Sequence, residues 1–230
     1  MSIAGHVAQL KTDFDSVYEG GKQYEYDRFW DSYQINGTRT GYQGAFAGVG
    51  WDVGLLKPKY SIAARSTYMM FAFCGYTGDL DDIFKNRGLT LTVNPDSGAQ
   101  GYMFYNTCIS AIGDIDLSSF TDANQLSSMF NSPNLITIRN LIPPKAPMNA
   151  SVWGTNLTNL GIDGEISYNW QFTRSTILTH DSLMNVINAL ADYSQDTSGT
   201  AHTLTLGATN LAKLTNAEKA IATQKGWTLA

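Results

Sequence analysis

The chain has 230 residues, 43% of them hydrophobic and 15% charged, with a formal net charge of −5. Ordinary globular proteins carry about 25% charged residues; polarity here comes from Ser, Thr, Asn and Gly, a mix that suits β-rich stacks and extracellular or virion surfaces. A net acidic chain without a Lys/Arg cluster argues against a nucleic-acid interface, which needs a basic stripe to displace phosphate counterions. No run approaches the ~20 apolar residues that cross a bilayer.

From the start of the chain, Ile3, Val7, Leu10, Phe14 and Val17 have a 4-3-4-3 spacing, which predicts a helix with a coiled-coil seam. Two heptads are marginal alone in water, so this helix needs a body to lie against or copies of itself. It reads either as an amphipathic cap or as an oligomerisation stem. Residues 1–10 lack the basic start and apolar run of a secretory signal. After Gly20-Gly21, residues 22–34 predict a second helix, with Tyr26, Phe29, Trp30 and Tyr33 on one face, suited to capping the open end of a repeat stack.

Beyond Asn36-Gly37, short phrases repeat: Gly44-Ala45-Phe46, Met70-Phe71-Ala72, Met103-Phe104-Tyr105, Met129-Phe130-Asn131 and, more weakly, Ser151-Val152-Trp153. The aromatic anchors at 46, 71, 104, 130 and 153 are 25, 33, 26 and 23 residues apart. Self-similarity at a period of about 20–50 residues marks a stacked-repeat architecture. The longest step holds an insertion, Asp79 to Arg87, that reads as a helix ended by Gly88, and Leu89 to Val93 reads as a strand. Aligning Phe104 with Phe130 sets Ile109 against Leu135, Ile112 against Ile138 and Ile115 against Leu141; Trp153 similarly leads Leu157, Leu160 and Ile162. Each unit therefore offers an aromatic anchor, a turn rich in Asn, Ser and Thr, and a short strand. One unit cannot bury its apolar face, but neighbours stacked on one another can, which assigns Phe46, Phe71, Phe104 and Phe130 to a shared core.

Residues 179–230 read as a distinct mixed cap. Thr179 is the N-cap of a helix bearing Leu183, Val186, Ile187 and Leu190. Thr203 to Leu206 alternates as a strand, Thr215 with Glu218 forms a capping box, and a helix carrying Ile221 ends at Gly226, leaving Trp227 to Leu229 as a last strand. The predicted organisation is an α/β leucine-rich-repeat-like solenoid: a helical stem and cap over 1–40, the repeats over 41–178 and the C-terminal cap over 179–230.

Chemistry-bearing constellations are sparse. His6, His180 and His202 stand beside no nucleophile pattern and read as surface or cap residues. Asp79, Asp81, Asp82, Asp114 and Asp116 match no calcium-loop spacing, and Asp163 with Glu165 reads as a solvated edge. Cys74 and Cys108 make neither a zinc quartet nor a CxxC pair; they read as buried free thiols, with a bridge across neighbouring turns as the alternative. Gly48-Val49-Gly50 lacks the Lys of a phosphate loop, so no cofactor and no metal is expected. Tyr102, Tyr105, Trp153, Tyr168 and Trp170 recur near the anchors and are the ligand-binding candidates, as an aromatic row on which sugar rings stack; core packing is the competing reading.

The run from Ile112 to Phe130 resembles the BspA-like bacterial leucine-rich repeat family, closest at Asp116-Leu117-Ser118-Ser119-Phe120 and Met129-Phe130. Asp122-Ala123 replaces that family's usual Thr-Ser. The two ends, Val17 to Asp31 together with Leu204 to Gly207 and Ala222 to Ala230, look like a narrower group of repeat proteins in gut Firmicutes and their prophages. The resemblance implies a non-enzymatic virion protein, tail or fibre associated, assembled in the host cytoplasm and presenting its solenoid to a host-surface glycan or protein. In that setting Ile3, Val7, Leu10, Phe14 and Val17 would attach it to other virion proteins as a homo-oligomer, a trimer being one option. A bacterial cell-surface adhesin of the same repeat class is the alternative, and it would need an export signal.

Overall fold

The computed structural model describes residues 101–230 and two short strands at 62–64 and 89–91. The helices expected over 3–17, 22–34 and 79–87, the anchors Phe46 and Phe71, His6, Cys74 and the acidic group at 79–82 lie outside the described residues.

Every strand pairing among the described residues is parallel. Strand β1 (Ile62–Ala64) pairs with β2 (Leu89–Leu91), Ile62 opposite Leu89. Strands β3 (Ala111–Gly113), β4 (Thr137–Leu141) and β5 (Asn159–Ile162) form a second sheet in chain order. Parallel neighbours in one chain must start at the same end, so each connection travels round to the beginning again. Ile112, Ile138 and Leu160 are successive register partners and all are buried. The sequence alignment set the same residues opposite one another, because each strand buries one face and a slip of one residue would turn that face to water.

The anchors form a column. Phe104 stacks on Phe130 with ring centroids 5.8 Å apart, Phe130 on Trp153 at 5.7 Å, and Trp153 on Phe172 at 4.8 Å. These steps are close to the ~4.8 Å between neighbouring strands because each ring leaves an equivalent place on a successive turn. All four rings are fully buried. Burial of one large apolar side chain contributes roughly 1.5–3 kcal/mol, and here it is shared by the turns above and below.

Where the chain leaves an anchor, side chains replace the ladder. Ser132 Oγ donates to the carbonyl of Thr107 at 2.6 Å, Ser175 Oγ to that of Gly154 at 2.8 Å, and Asn210 Nδ2 to that of Ser175 at 2.9 Å. Thr107, Ser132, Ser175 and Asn210 are fully buried, so these small polar side chains supply the hydrogen bonds that buried carbonyls require. A second repeated device lies at the strand ends, where Asp114 and Asn140 both adopt left-handed backbone, φ 53° and 49°. Asn140 Nδ2 donates to Asp114 Oδ1 at 3.0 Å. Asn and Asp tolerate this conformation better than other side chains. In β4 it makes a bulge, because Ile138 pairs with Leu160 while Leu141 pairs with Ile162.

Helix α1 (His180–Asn188) starts at Thr179, whose hydroxyl accepts from Ser182 N, and it ends the second sheet. Ser182 and Asn185 share one helical face; their oxygens accept from Leu160 N at 2.9 Å and Ile162 N at 2.6 Å. The β5 edge is thus satisfied by helix side chains instead of by another strand. A third sheet, β6 (Trp170–Gln171), β7 (His202–Thr205) and β8 (Trp227–Leu229), continues parallel, with Trp170 opposite Leu204 and Leu204 opposite Leu229. The boundary expected between 178 and 179 therefore falls inside a sheet. Short α2 (Ala208–Leu211) and α3 (Asn216–Gln224) connect β7 to β8. The Thr215–Glu218 capping box forms in both directions, and Lys225 Nζ donates to the carbonyls of Asn188 and Leu190, closing the end of α1.

His180 Nε2 lies 2.9 Å from Glu218 Oε1 and ties α1 to α3. Hydrogen bonding to Glu218 raises the His180 pKa above 6.5; the Thr215 backbone and hydroxyl, then His180, lower that of Glu218 below 4.5. Stability from the raised histidine is complete below pH 6.5 and lost as pH rises through its folded value. Stability from the lowered carboxylate is complete above pH 4.5 and lost as pH falls through its own. Between those two values His180→Gln should therefore reduce the urea midpoint more than it does at about pH 9. Equal losses at both pH values would show that the ion pair adds nothing.

The indole nitrogens of Trp153 and Trp170 are buried and have no hydrogen-bond partner among the described residues. Trp153→Phe removes one such N–H, which costs about 1–3 kcal/mol to bury unpaired, and gives up packing of similar size. Its expected net effect on unfolding free energy is within about 1.5 kcal/mol; a much larger loss would mean that packing outweighs the unpaired donor.

Candidate ligand-binding groove

Of the five aromatic candidates, the structure turns one outward. Tyr168 is 40% exposed, whereas Trp153 and Trp170 are fully buried. This corrects the expected row: Trp153 is a member of the ring column, and Trp170, 5.6 Å from it, lies on the same interior side of β6. Neither offers a face to a ligand. Tyr102 and Tyr105 are half-buried and meet edge to face at 5.3 Å, away from Tyr168 in the order of turns. The stem residues Ile3, Val7, Leu10, Phe14 and Val17 lie outside the described residues.

Tyr168 stands at the lip of an open groove of about 290 Å³, lined also by Pro147, Ser167, Asn169, Tyr193, Thr200, Ala201 and His202. Local folding fixes these walls. Ile166 pairs with Leu190 on one side of the tyrosine, and Trp170 begins β6 on the other. Tyr193 Oη donates to the Ser167 carbonyl at 2.9 Å, and Asn169 Oδ1 accepts from Thr203 N at 2.8 Å. The Tyr193 and His202 rings stack face to face, 3.6 Å apart and 4° from parallel, above Trp227.

The loop between Tyr193 and His202 is built on Asp196. Its Oδ1 accepts from Ser198 N at 2.8 Å, and its Oδ2 lies 2.8 Å from Ser198 Oγ and 3.3 Å from His202 Nε2. Ser198, first through its backbone and then its hydroxyl, and then His202 lower the Asp196 pKa below the ordinary carboxylate value. Its contribution to loop stability is present above that ordinary value and lost as pH falls through the folded one.

A second open groove of about 470 Å³ crosses the turns beside β3, β4 and β5. It holds Ile136 and Ile177, which with Tyr168 are the exposed large hydrophobic residues among those described. Asn134 and Asn156 recur in its wall, each tying its turn to the preceding one through the Thr107 and Pro133 carbonyls.

Three of the remaining candidates have structural partners. His180 meets Glu218, Asp116 accepts from Ser118 N, and Glu165 accepts from Ser167 Oγ. Cys108 is a half-buried free thiol. Among the described residues no three His, Cys, Asp or Glu side chains converge to hold a metal ion, and no helix is long and apolar enough to cross a membrane. Sequence reasoning missed Tyr193, Pro147 and Thr200 and set His202 aside. No protein-family model, curated protein or solved structure matches the chain.

Proposed function

We propose that the chain is a non-enzymatic phage virion structural protein, tail or fibre associated, whose stacked leucine-rich-repeat-like turns present a rigid surface to a host-cell glycan or protein. The observation that carries this reading is the unbroken ring column Phe104–Phe130–Trp153–Phe172 beneath parallel strands. Stacked turns spend their apolar residues on one another, so the outer surface is free to vary, and repeat stacks commonly serve as extended binding faces. The resemblance of Ile112 to Phe130 to BspA-like repeats and that of the chain ends to prophage proteins supply the setting. Tyr193 and His202 in the one groove and Asn134 and Asn156 in the other brace neighbouring turns and loops, which suits binding more than turnover.

The purified full chain should bind host cells saturably while leaving peptidoglycan uncleaved. Deleting residues 1–20 should prevent incorporation into particles without unfolding the remainder. Cleavage of peptidoglycan would refute the non-enzymatic reading, and normal incorporation of the shortened chain would refute the attachment role of the stem.

A further inference from the structure

We propose that the groove beside Tyr168 is a subsite for one neutral pyranose ring. This deepens the reading of the chain as a surface-binding module and rests on it. Tyr168 is 40% exposed, yet the backbone around it is pinned. Ile166 N donates to the Ala189 carbonyl at 2.7 Å, Tyr193 Oη to the Ser167 carbonyl at 2.9 Å, and Met148 N to the Asn169 carbonyl at 3.0 Å. A fixed backbone places Tyr168 at the groove before a ligand arrives, which cuts the entropy cost of binding. Tyr193 and His202 spend a face on each other at 3.6 Å, so the platform left for a ligand is Tyr168.

The surroundings select the ligand class. The groove's volume of about 290 Å³ lies at the lower end for small-molecule sites, enough for a single ring. Among the described residues its lining contains no Lys or Arg, and the charged groups bonded to that lining are carboxylates, Asp196 through His202 and Glu165 through Ser167. A phosphate, uronate or sialate would find no counter-charge there. Asn169 lines the groove with its side-chain oxygen committed to Thr203 N, so its amide nitrogen is the donor it offers, which favours an occupant with hydroxyls over a purely apolar one. A pyranose answers both demands, with a C–H face for the tyrosine and a rim of hydroxyls for Asn169 and Thr200.

The test uses the full chain with methyl glycosides of glucose, galactose, mannose and N-acetylglucosamine, at millimolar concentration, followed by NMR. At least one glycoside should shift the Tyr168, Asn169 and His202 signals. Tyr168→Ala should weaken that binding about tenfold, the loss typical of removing one stacking platform, at an unchanged melting temperature. Tyr168→Phe should stay within about twofold, since stacking does not need the hydroxyl. Competition by the responding glycoside against host-cell binding separates a cell-surface glycan from a free sugar as the source. Absence of any glycoside binding, or equal binding by wild type and Tyr168→Ala, overturns the subsite. If wild type binds cells but no glycoside, the subsite falls and the module reading stands. If it binds a glycoside but no cells, the reverse holds.

Discussion

Phe130→Ala is expected to lower the unfolding free energy by about 3–5 kcal/mol, the range for deleting a fully buried aromatic ring. Phe130 has no exposed surface and lies between Phe104 at 5.8 Å and Trp153 at 5.7 Å. Truncation removes the contacts of two neighbouring turns at once, and the rigid backbone ladder on either side limits collapse into the cavity. Urea denaturation followed by tryptophan emission reads the effect directly. Ile136→Ala, at a side chain 45% exposed, should change stability by no more than about 0.5 kcal/mol. Comparable losses at the two positions would mean that the ring column is no special contributor.

Gly154→Ala should be nearly as damaging, by about 3 kcal/mol, through excess rather than loss of volume. A Cβ at Gly154 would lie 2.3 Å from the Ser132 carbonyl oxygen and 3.2 Å from that of Phe130. Both obstacles are backbone, so no side chain can swing away. The Gly154 carbonyl also accepts from Ser175 Oγ, so a shift would break the buried polar line between turns. Gly199 differs: nothing lies within 4 Å of its missing Cβ, but its φ is +76°. Gly199→Ala should therefore cost about 1 kcal/mol, from backbone strain alone. Melting curves of the two variants separate close approach from conformation, and equal shifts would contradict that distinction.

Much of the register was legible because it rests on the strongest physical signal a chain carries. The pairs Ile112/Ile138 and Leu141/Ile162 could be aligned from spacing, since each strand has one face that must be dry. Thr179 and the Thr215–Glu218 box were legible because caps are local, made by residues within a turn of each other. The groove was not. Its walls come from Pro147, from Ser167 to Asn169, from Tyr193 and from Thr200 to His202, segments that meet only once turns are stacked. Alternation also misleads here: Ile166, Tyr168, Trp170 and Phe172 share parity, yet Tyr168 alone faces out. The strand starts only at Trp170, so the residues before it trace a loop and not a pleat. Trp153 drew two readings because an anchor and a ligand platform look alike in sequence; burial decides for the anchor.

The stacked-turn arrangement is tested most directly by ring-to-ring nuclear Overhauser contacts in the full chain, with aromatic side chains selectively labelled. The Phe130 ring should show contacts to both Phe104 and Trp153, and Trp153 to Phe172, because each pair lies within 5.8 Å centre to centre. A Phe130 ring that touches neither neighbour, or that exchanges freely with solvent, would contradict the stack and remove the physical basis of the binding surface built on it.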